Sequence, residues 1–271
     1  MYANCRATNV GGTIVIRPYL KQKLNMGESL VVGTHIEMTD SICSEVLGRV
    51  GFDFVLVDAD SSENGYSSLR NHMVALNAGG TPTVVRVSSH LQSHVSRVLE
   101  LGPDGIIFPA VNTAQEARNV VAQCLYPPVG RRRFSPLRAV GYGLDDAMRF
   151  VREDSMQMCR FVQLDSAESL RNLPDILDVD MIDGFFFSPG ELLRNDGTPD
   201  GLYGPDTAVL LREAAALLRE SGKPFGVSVL TSGSDVLKFW VDMGASIVAS
   251  GTDFGYILGG AAENLKAIRR L

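Results

Sequence analysis

The 271 residues predict one α/β domain folded as a (β/α)8 TIM barrel, and three observations carry that prediction. Short apolar, β-branched runs recur along the chain. Each is followed by a longer segment with helical periodicity, and the alternation repeats eight times. The chain length also matches the roughly 250 residues of such a barrel. Strands that read as nearly continuous apolar runs are parallel strands covered by helices, so a doubly wound open sheet is the structural alternative.

In order, the strands are SLVVGTH, DFVLVD, TPTVVRV, DGIIFPAV, MCRFVQLD, MIDGFFFS, PFGVSVL and ASIVAS. Each is rich in Val, Ile or Phe and bounded by Gly, Pro, Asp or Ser, the residues that end strands. Between them SICSEVLGRV, YSSLRNHMVALNA, QSHVSRVLEL, AQEARNVVAQCL, AESLRNLPDIL, AVLLREAAALLRES and SDVLKFWVDM repeat apolar residues at helical spacing. FGYILGGAAENLKAIRRL closes the chain. Residues 1–28 read as an N-terminal extension and first helix, and 253–271 as a C-terminal helix. No linker divides the chain, although YPPVGRRRFSPLRAVGYG is a long loop of the kind that often serves function.

A net charge of −6 without acidic or basic blocks argues against a nucleic-acid partner. Cys5, Cys43, Cys124 and Cys159 are widely spaced and form neither a zinc pattern nor a disulfide framework, which favours the reducing cytoplasm. No apolar run reaches membrane-span length, so no membrane association is expected, and the N-terminus lacks the order of a signal peptide.

Barrel chemistry sits at the C-terminal strand ends. The polar residues expected there are His35 with Glu37, Asp58 with Asp60, Arg86, Gln163 with Asp165, and Ser188 with Glu191. Asp165 and Glu191 on neighbouring strands are able to share a hard divalent cation. A guanidinium inside a barrel needs an anion, and its planar fork suits a carboxylate. Plainer readings stand beside these. DSAE and SPGE match helix capping boxes, which spacing alone favours for Asp165 and Glu191. Arg86 suits a structural ion pair with Asp58 equally well. Asp60 and Glu63 read as loop charges, His72, His90 and His94 as surface residues, and Arg131 to Arg133 as a solvated face or a site that captures phosphate or carboxylate.

Taken together, GFDFVLVDAD, TPTVVRV, YPPVGRRR, FVQLD with DGFFFSPGEL, and ESGKPFGV resemble the class II pyruvate aldolases, typified by 4-hydroxy-2-oxoheptanedioate and 2-dehydro-3-deoxyglucarate aldolases. The resemblance runs from about Leu30 to the C-terminus. It implies a homo-oligomer, trimer or hexamer, with the last helix exchanged between subunits. It also implies a divalent metal (Mg2+, Mn2+ or Co2+) that activates a 2-oxo acid such as pyruvate for reversible aldol reaction with an aldehyde.

Carried over position by position, the family's arginine falls on Arg86 and its metal carboxylates on Asp165 and Glu191. Gln163 and the Ser188, Pro189 and Gly190 turn would orient the substrate. Glu100 matches a position that reaches a neighbouring subunit's site. The family has Glu then Asp at the metal positions, the reverse of this chain. Its DGEH or DCEH motif, in which the histidine is the base, reads Asp58, Ala59, Asp60, Ser61 here, and its tryptophan on the first strand aligns with His35. The expectation is therefore a metal-dependent lyase in which Asp58 orients and His35, polarised by Glu37 or Asp58, is the base. The alternatives are an oxo-acid-binding protein, an oxaloacetate decarboxylase, or an acyl-CoA lyase related to citrate lyase β subunits with Arg131 to Arg133 meeting CoA phosphates.

Overall fold

The computed structural model describes residues 5–10, 13–18, 20–27, 29–196, 205–230 and 233–271. Eight parallel strands close into a barrel, which excludes the open-sheet alternative. They are β3 (Val31–Ile36), β4 (Phe54–Asp58), β5 (Thr83–Arg86), β6 (Gly105–Phe108), β7 (Cys159–Leu164), β8 (Gly184–Phe187), β9 (Phe225–Val229) and β10 (Ile247–Thr252), in that spatial order, with β10 returning to β3. All eight fall on the apolar runs read from the sequence, with β3 extending one residue and β10 two residues beyond them. Ahead of them, β1 (Cys5–Val10) and β2 (Thr13–Pro18) form an antiparallel pair, a feature not expected in the N-terminal extension.

The helices are α1 (Leu20–Met26), α2 (Ser41–Val50), α3 (Tyr66–Gly79), α4 (Gln92–Glu100), α5 (Ala114–Cys124), α6 (Ala147–Arg152), α7 (Ala167–Arg171), α8 (Leu173–Leu177), α9 (Pro189–Asp196), α10 (Pro205–Ser221), α11 (Ser234–Asp242) and α12 (Asp253–Ile268). The single helix expected over AESLRNLPDIL is two, broken at Asn172, because Pro174 suits the first turn of a new helix and not the interior of an old one.

Two apolar cores form. One packs the outer strand faces against the helices, and the other fills the barrel with Val31, Phe54, Leu56, Val84, Ile107, Phe161, Phe186 and Ile247, closed by Leu20 and Leu24 of α1. Side chains alternate along a strand. The inward positions that follow these apolar ones are therefore His35, Asp58, Arg86, Gln163, Ser188 and Ser228. Apolar layers fill the barrel and a polar layer tops it.

A different relation holds for α12. From Phe254 to Leu271 every residue is exposed, including Phe254, Tyr256, Ile257, Leu258, Leu265 and Ile268. Among the described residues no helix is long and apolar enough to cross a membrane.

Candidate active site

Parallel register sets the first pair. Asp58 and Arg86 are partners across β4 and β5, both inward and buried. Arg86 Nε donates to Asp58 Oδ1 at 3.0 Å and Nη2 to Oδ2 at 2.7 Å, so the ion pair weighed from sequence is present and is bidentate. Asp58 also accepts from the Asp60 amide at 2.8 Å and the Ser61 amide at 3.3 Å, which fixes the loop after β4. Burial alone would raise this carboxyl, but the Arg86 guanidinium and those amides outweigh it and hold the pKa below the usual value. Arg86 Nη2 further donates to Ser61 Oγ at 3.0 Å. Nη1 is left toward Glu191, whose Oε1 is 3.8 Å away.

Asp165 does not cap a helix. Ser166 is the N-cap of α7, with Ser169 as its reciprocal partner, which frees Asp165 to face inward at the end of β7. Its Oδ2 accepts from the Ala110 amide at 2.7 Å and from Gln163 Nε2 at 3.0 Å. Gln163 is 1% exposed, and its Oε1 has no partner among the described residues. Burial raises the pKa of Asp165, as does the charge of Glu191. Glu191 sits in the first turn of α9, where its carboxylate meets Arg86 and Arg194. Ser188 is buried beneath that helix start, with Pro189 as its first residue and Gly190 exposed.

These groups open on a cavity of about 590 Å³ lined by Asp60, His90, Pro109, Gln163, Asp165 and Glu191. Two carboxylates, beside a buried amide oxygen that has no donor among the described residues, form a hard-oxygen donor set suited to Mg2+ or Mn2+. The donors present thus fit a divalent cation, although no group of three or more His, Cys, Asp or Glu is arranged to hold one among the described residues.

His35 lies in the same polar layer but not with the partners expected for it. Its Nδ1 is 2.8 Å from the Gly251 carbonyl and its Nε2 is 2.8 Å from Ser228 Oγ. Neither Glu37 nor Asp58 touches it. A carbonyl only accepts, so Nδ1 carries the proton, and the neutral ring's Nε2 accepts from the Ser228 hydroxyl. Gly251 makes this possible. Its φ of +74° sits where the β10 and β3 register slips, and a Cβ there would lie 2.3 Å from Tyr256 Oη. Burial lowers the His35 pKa to about 4 against the pull of the Gly251 carbonyl, with the Arg86 charge adding to the fall. Ser228, half-buried on β9, escaped the sequence reading because a lone serine inside PFGVSVL carries no signal.

The histidines read as surface residues differ. His72 is fully buried, bonded to Ser44 Oγ at 2.7 Å and Asn64 Oδ1 at 3.0 Å. His94 is half-buried against Tyr66, whose hydroxyl is 2.7 Å from Nδ1. His90 lines the cavity itself. Asp60 is exposed, yet it borders that cavity 4.0 Å from Arg86 Nε.

The arginine run is not one solvated face. Arg132 is buried, its guanidinium 4.8 Å from the Tyr126 ring centroid, while Arg131 and Arg133 are exposed. Glu100, at the end of α4, is buried apart from this cavity, with Oε2 unpartnered among the described residues and its pKa raised by burial. It borders a separate cavity with Arg97, Arg133 and Arg138.

A family model described as HpcH/HpaI aldolase/citrate lyase matches residues 32–258. The hydroxypyruvate/pyruvate aldolase of Roseobacter denitrificans is 32% identical over 244 residues, covering 88% of this chain and 92% of that one. The 4-hydroxy-2-oxo-heptane-1,7-dioate aldolase of Escherichia coli is 31% identical over 242 residues, 87% of this chain and 89% of that one. A crystal structure of a HpcH/HpaI aldolase/citrate lyase family protein from Burkholderia cenocepacia superposes with a TM-score of 0.85 at 22% identity, covering 92% and 98% of the two chains, a likeness of fold.

Proposed function

From the premise that the chain belongs to the HpcH/HpaI aldolase/citrate lyase family and is a lyase of the aldolase kind, we propose that it makes and breaks a carbon–carbon bond next to a 2-oxo acid. The donor is pyruvate or a close relative and the acceptor an aldehyde. The observation that carries this reading is the meeting of Asp165, Glu191 and Gln163 at one cavity beside Arg86.

Asp165 and Glu191 would hold a divalent cation, Mg2+ or Mn2+, with Co2+ as a further candidate. When bound, the cation supplies Lewis-acid polarisation of the donor's carboxylate and keto oxygens. Aspartate then glutamate reverses the family's order, so one arm is shorter and the other longer by a methylene. The two changes compensate in reach. Arg86 has Nε and Nη2 committed to Asp58, so Nη1 is the donor left for the oxygen that becomes negative in the enolate. Asp58 orients that guanidinium. Gln163, the buried Ser188 and the Gly190 helix start hold the donor carboxylate, since a helix N-terminus favours an anion. His35, with its two ring nitrogens bonded to Gly251 and Ser228, ties β3 to β10 and β9 and takes no part in the proton transfer. The test is aldol cleavage of a 4-hydroxy-2-oxo acid with Mg2+ and after chelation. Cation-dependent pyruvate release, lost in Asp165→Ala, supports the proposal, and release indifferent to both overturns it.

One observation favours a second reading. Ser61 stands at the family's base position, and His35 is neutral with both nitrogens bonded. Oxaloacetate decarboxylation needs an electron sink more than a base. An enzyme that decarboxylates oxaloacetate but leaves aldols intact would establish it.

The uncovered α12 supports a homo-oligomer, trimer or hexamer, in which this helix packs on a second copy and Glu100 lies near a neighbouring subunit's site. Removing 254–271 should then lower the particle mass in light scattering. The free thiols of Cys43, Cys124 and Cys159 suit a reducing cytoplasm.

A further inference from the structure

His90 meets the requirement that Ser61 and His35 do not. It stands in the loop after β5 and lines the cavity with Asp165, Glu191 and Gln163. Its Nε2 is 2.6 Å from the Pro109 carbonyl. That oxygen only accepts, so Nε2 holds the proton of the neutral ring and Nδ1 holds the lone pair. No partner engages Nδ1 among the described residues. The ring is fixed edge-on to Phe108, with centroids 5.9 Å apart at 76°, and its backbone carbonyl accepts from Gln123 Nε2 at 3.0 Å. A solvated surface histidine has no such anchors. His35, by contrast, is 3% exposed and has both nitrogens engaged, while Ser61 offers only a hydroxyl that already receives Arg86.

We propose that His90 is the general base of this site, its Nδ1 taking a proton from C3 of the 2-oxo acid donor; the inference rests on the lyase reading above. The C3–H bond breaks and its electron pair forms the C2–C3 double bond of the enolate. The carbonyl π pair moves onto the keto oxygen, and the proton passes to Nδ1. The resulting imidazolium keeps its Nε2 bond to Pro109, stronger now that the donor is charged. Return of the proton to C3 reverses the step. In D2O the ring returns deuterium.

The experiment is NMR of pyruvate methyl exchange in D2O with Mg2+, for wild type, His90→Gln, His90→Ala with and without added imidazole, and His35→Gln. Oxalate binding is measured on each, with a thermal melt to confirm folding. Exchange should fall by about 10²- to 10⁴-fold in both His90 variants. Imidazole should restore it in His90→Ala, oxalate binding should persist, and His35→Gln should keep exchanging. Wild-type exchange rates in folded His90 variants overturn the assignment and leave the lyase reading intact. Loss of oxalate binding together with exchange makes His90 a binding residue and also overturns it. Absence of exchange in the wild type overturns this inference and the aldol reading together, while retained oxaloacetate decarboxylation would mark the second reading as the survivor.

Discussion

Lowering the pH should destabilise this protein through His35 by an amount that the structure allows to be worked out. The ring is buried, bonded to Gly251 and Ser228, and its pKa lies near 4 against 6.5 when exposed. Between those values the unfolded chain binds a proton that the folded chain refuses. Stability therefore rises with pH across this window and is lost as pH falls from 6.5 toward 4. For one group with these two pKa values, the loss between pH 7 and pH 4.5 is roughly 2 to 3 kcal/mol. His72 and His94 are also lowered by burial and add slopes of the same sign, whereas Asp165, Glu37 and Asp60 are raised and act in the opposite sense. The comparison that isolates His35 is wild type against His35→Gln, by urea unfolding at both pH values. The wild type should lose about 2 to 3 kcal/mol more than the variant. Equal losses in the two proteins would refute the buried, neutral assignment.

Two other substitutions probe the same layer. Asp58→Asn removes one partner of a buried bidentate pair, which costs about 3 to 5 kcal/mol, and calorimetry should show Tm falling by roughly 10 °C; a fall of a degree or less would mean that Asp60 and Glu191 already satisfy Arg86. Gly251→Ala forces a Cβ against Tyr256 Oη at φ +74° and should cost on the order of 1 to 3 kcal/mol in denaturant unfolding, with an unchanged midpoint contradicting the strain argument.

The barrel was legible because its code is periodic. Eight β-branched runs, each facing the apolar core on both sides, need no long-range information to be recognised. The Asp58 and Arg86 pair was legible for a related reason, since neighbouring parallel strands bring their last residues side by side. Asp165 was harder. The sequence DSAE admits two N-caps one residue apart, and only the chain's path shows that Ser166 takes the role and Asp165 turns inward.

What escaped the sequence depends on contacts between distant segments. Ser228 meets His35 across 193 positions, and no local pattern marks either as the other's partner. His90 reads as a helix-flanking surface residue until the loop after β5 folds back to Pro109 over the mouth. Glu37 and Asp58, the partners expected for His35, were chosen by nearness along the strand ends. The slip in register at Gly251 instead offers a backbone carbonyl. The burial of His72 likewise rests on Ser44 and Asn64, which lie 28 and 8 residues away.

Mn2+ titration followed by electron paramagnetic resonance, with and without oxalate, decides whether Asp165 and Glu191 hold a divalent cation for a 2-oxo acid. Wild type should bind Mn2+ more tightly with oxalate present, and Asp165→Ala and Glu191→Ala should each lose that binding while remaining folded. Equal Mn2+ affinity in all three proteins, indifferent to oxalate, would mean that these carboxylates hold no such cation.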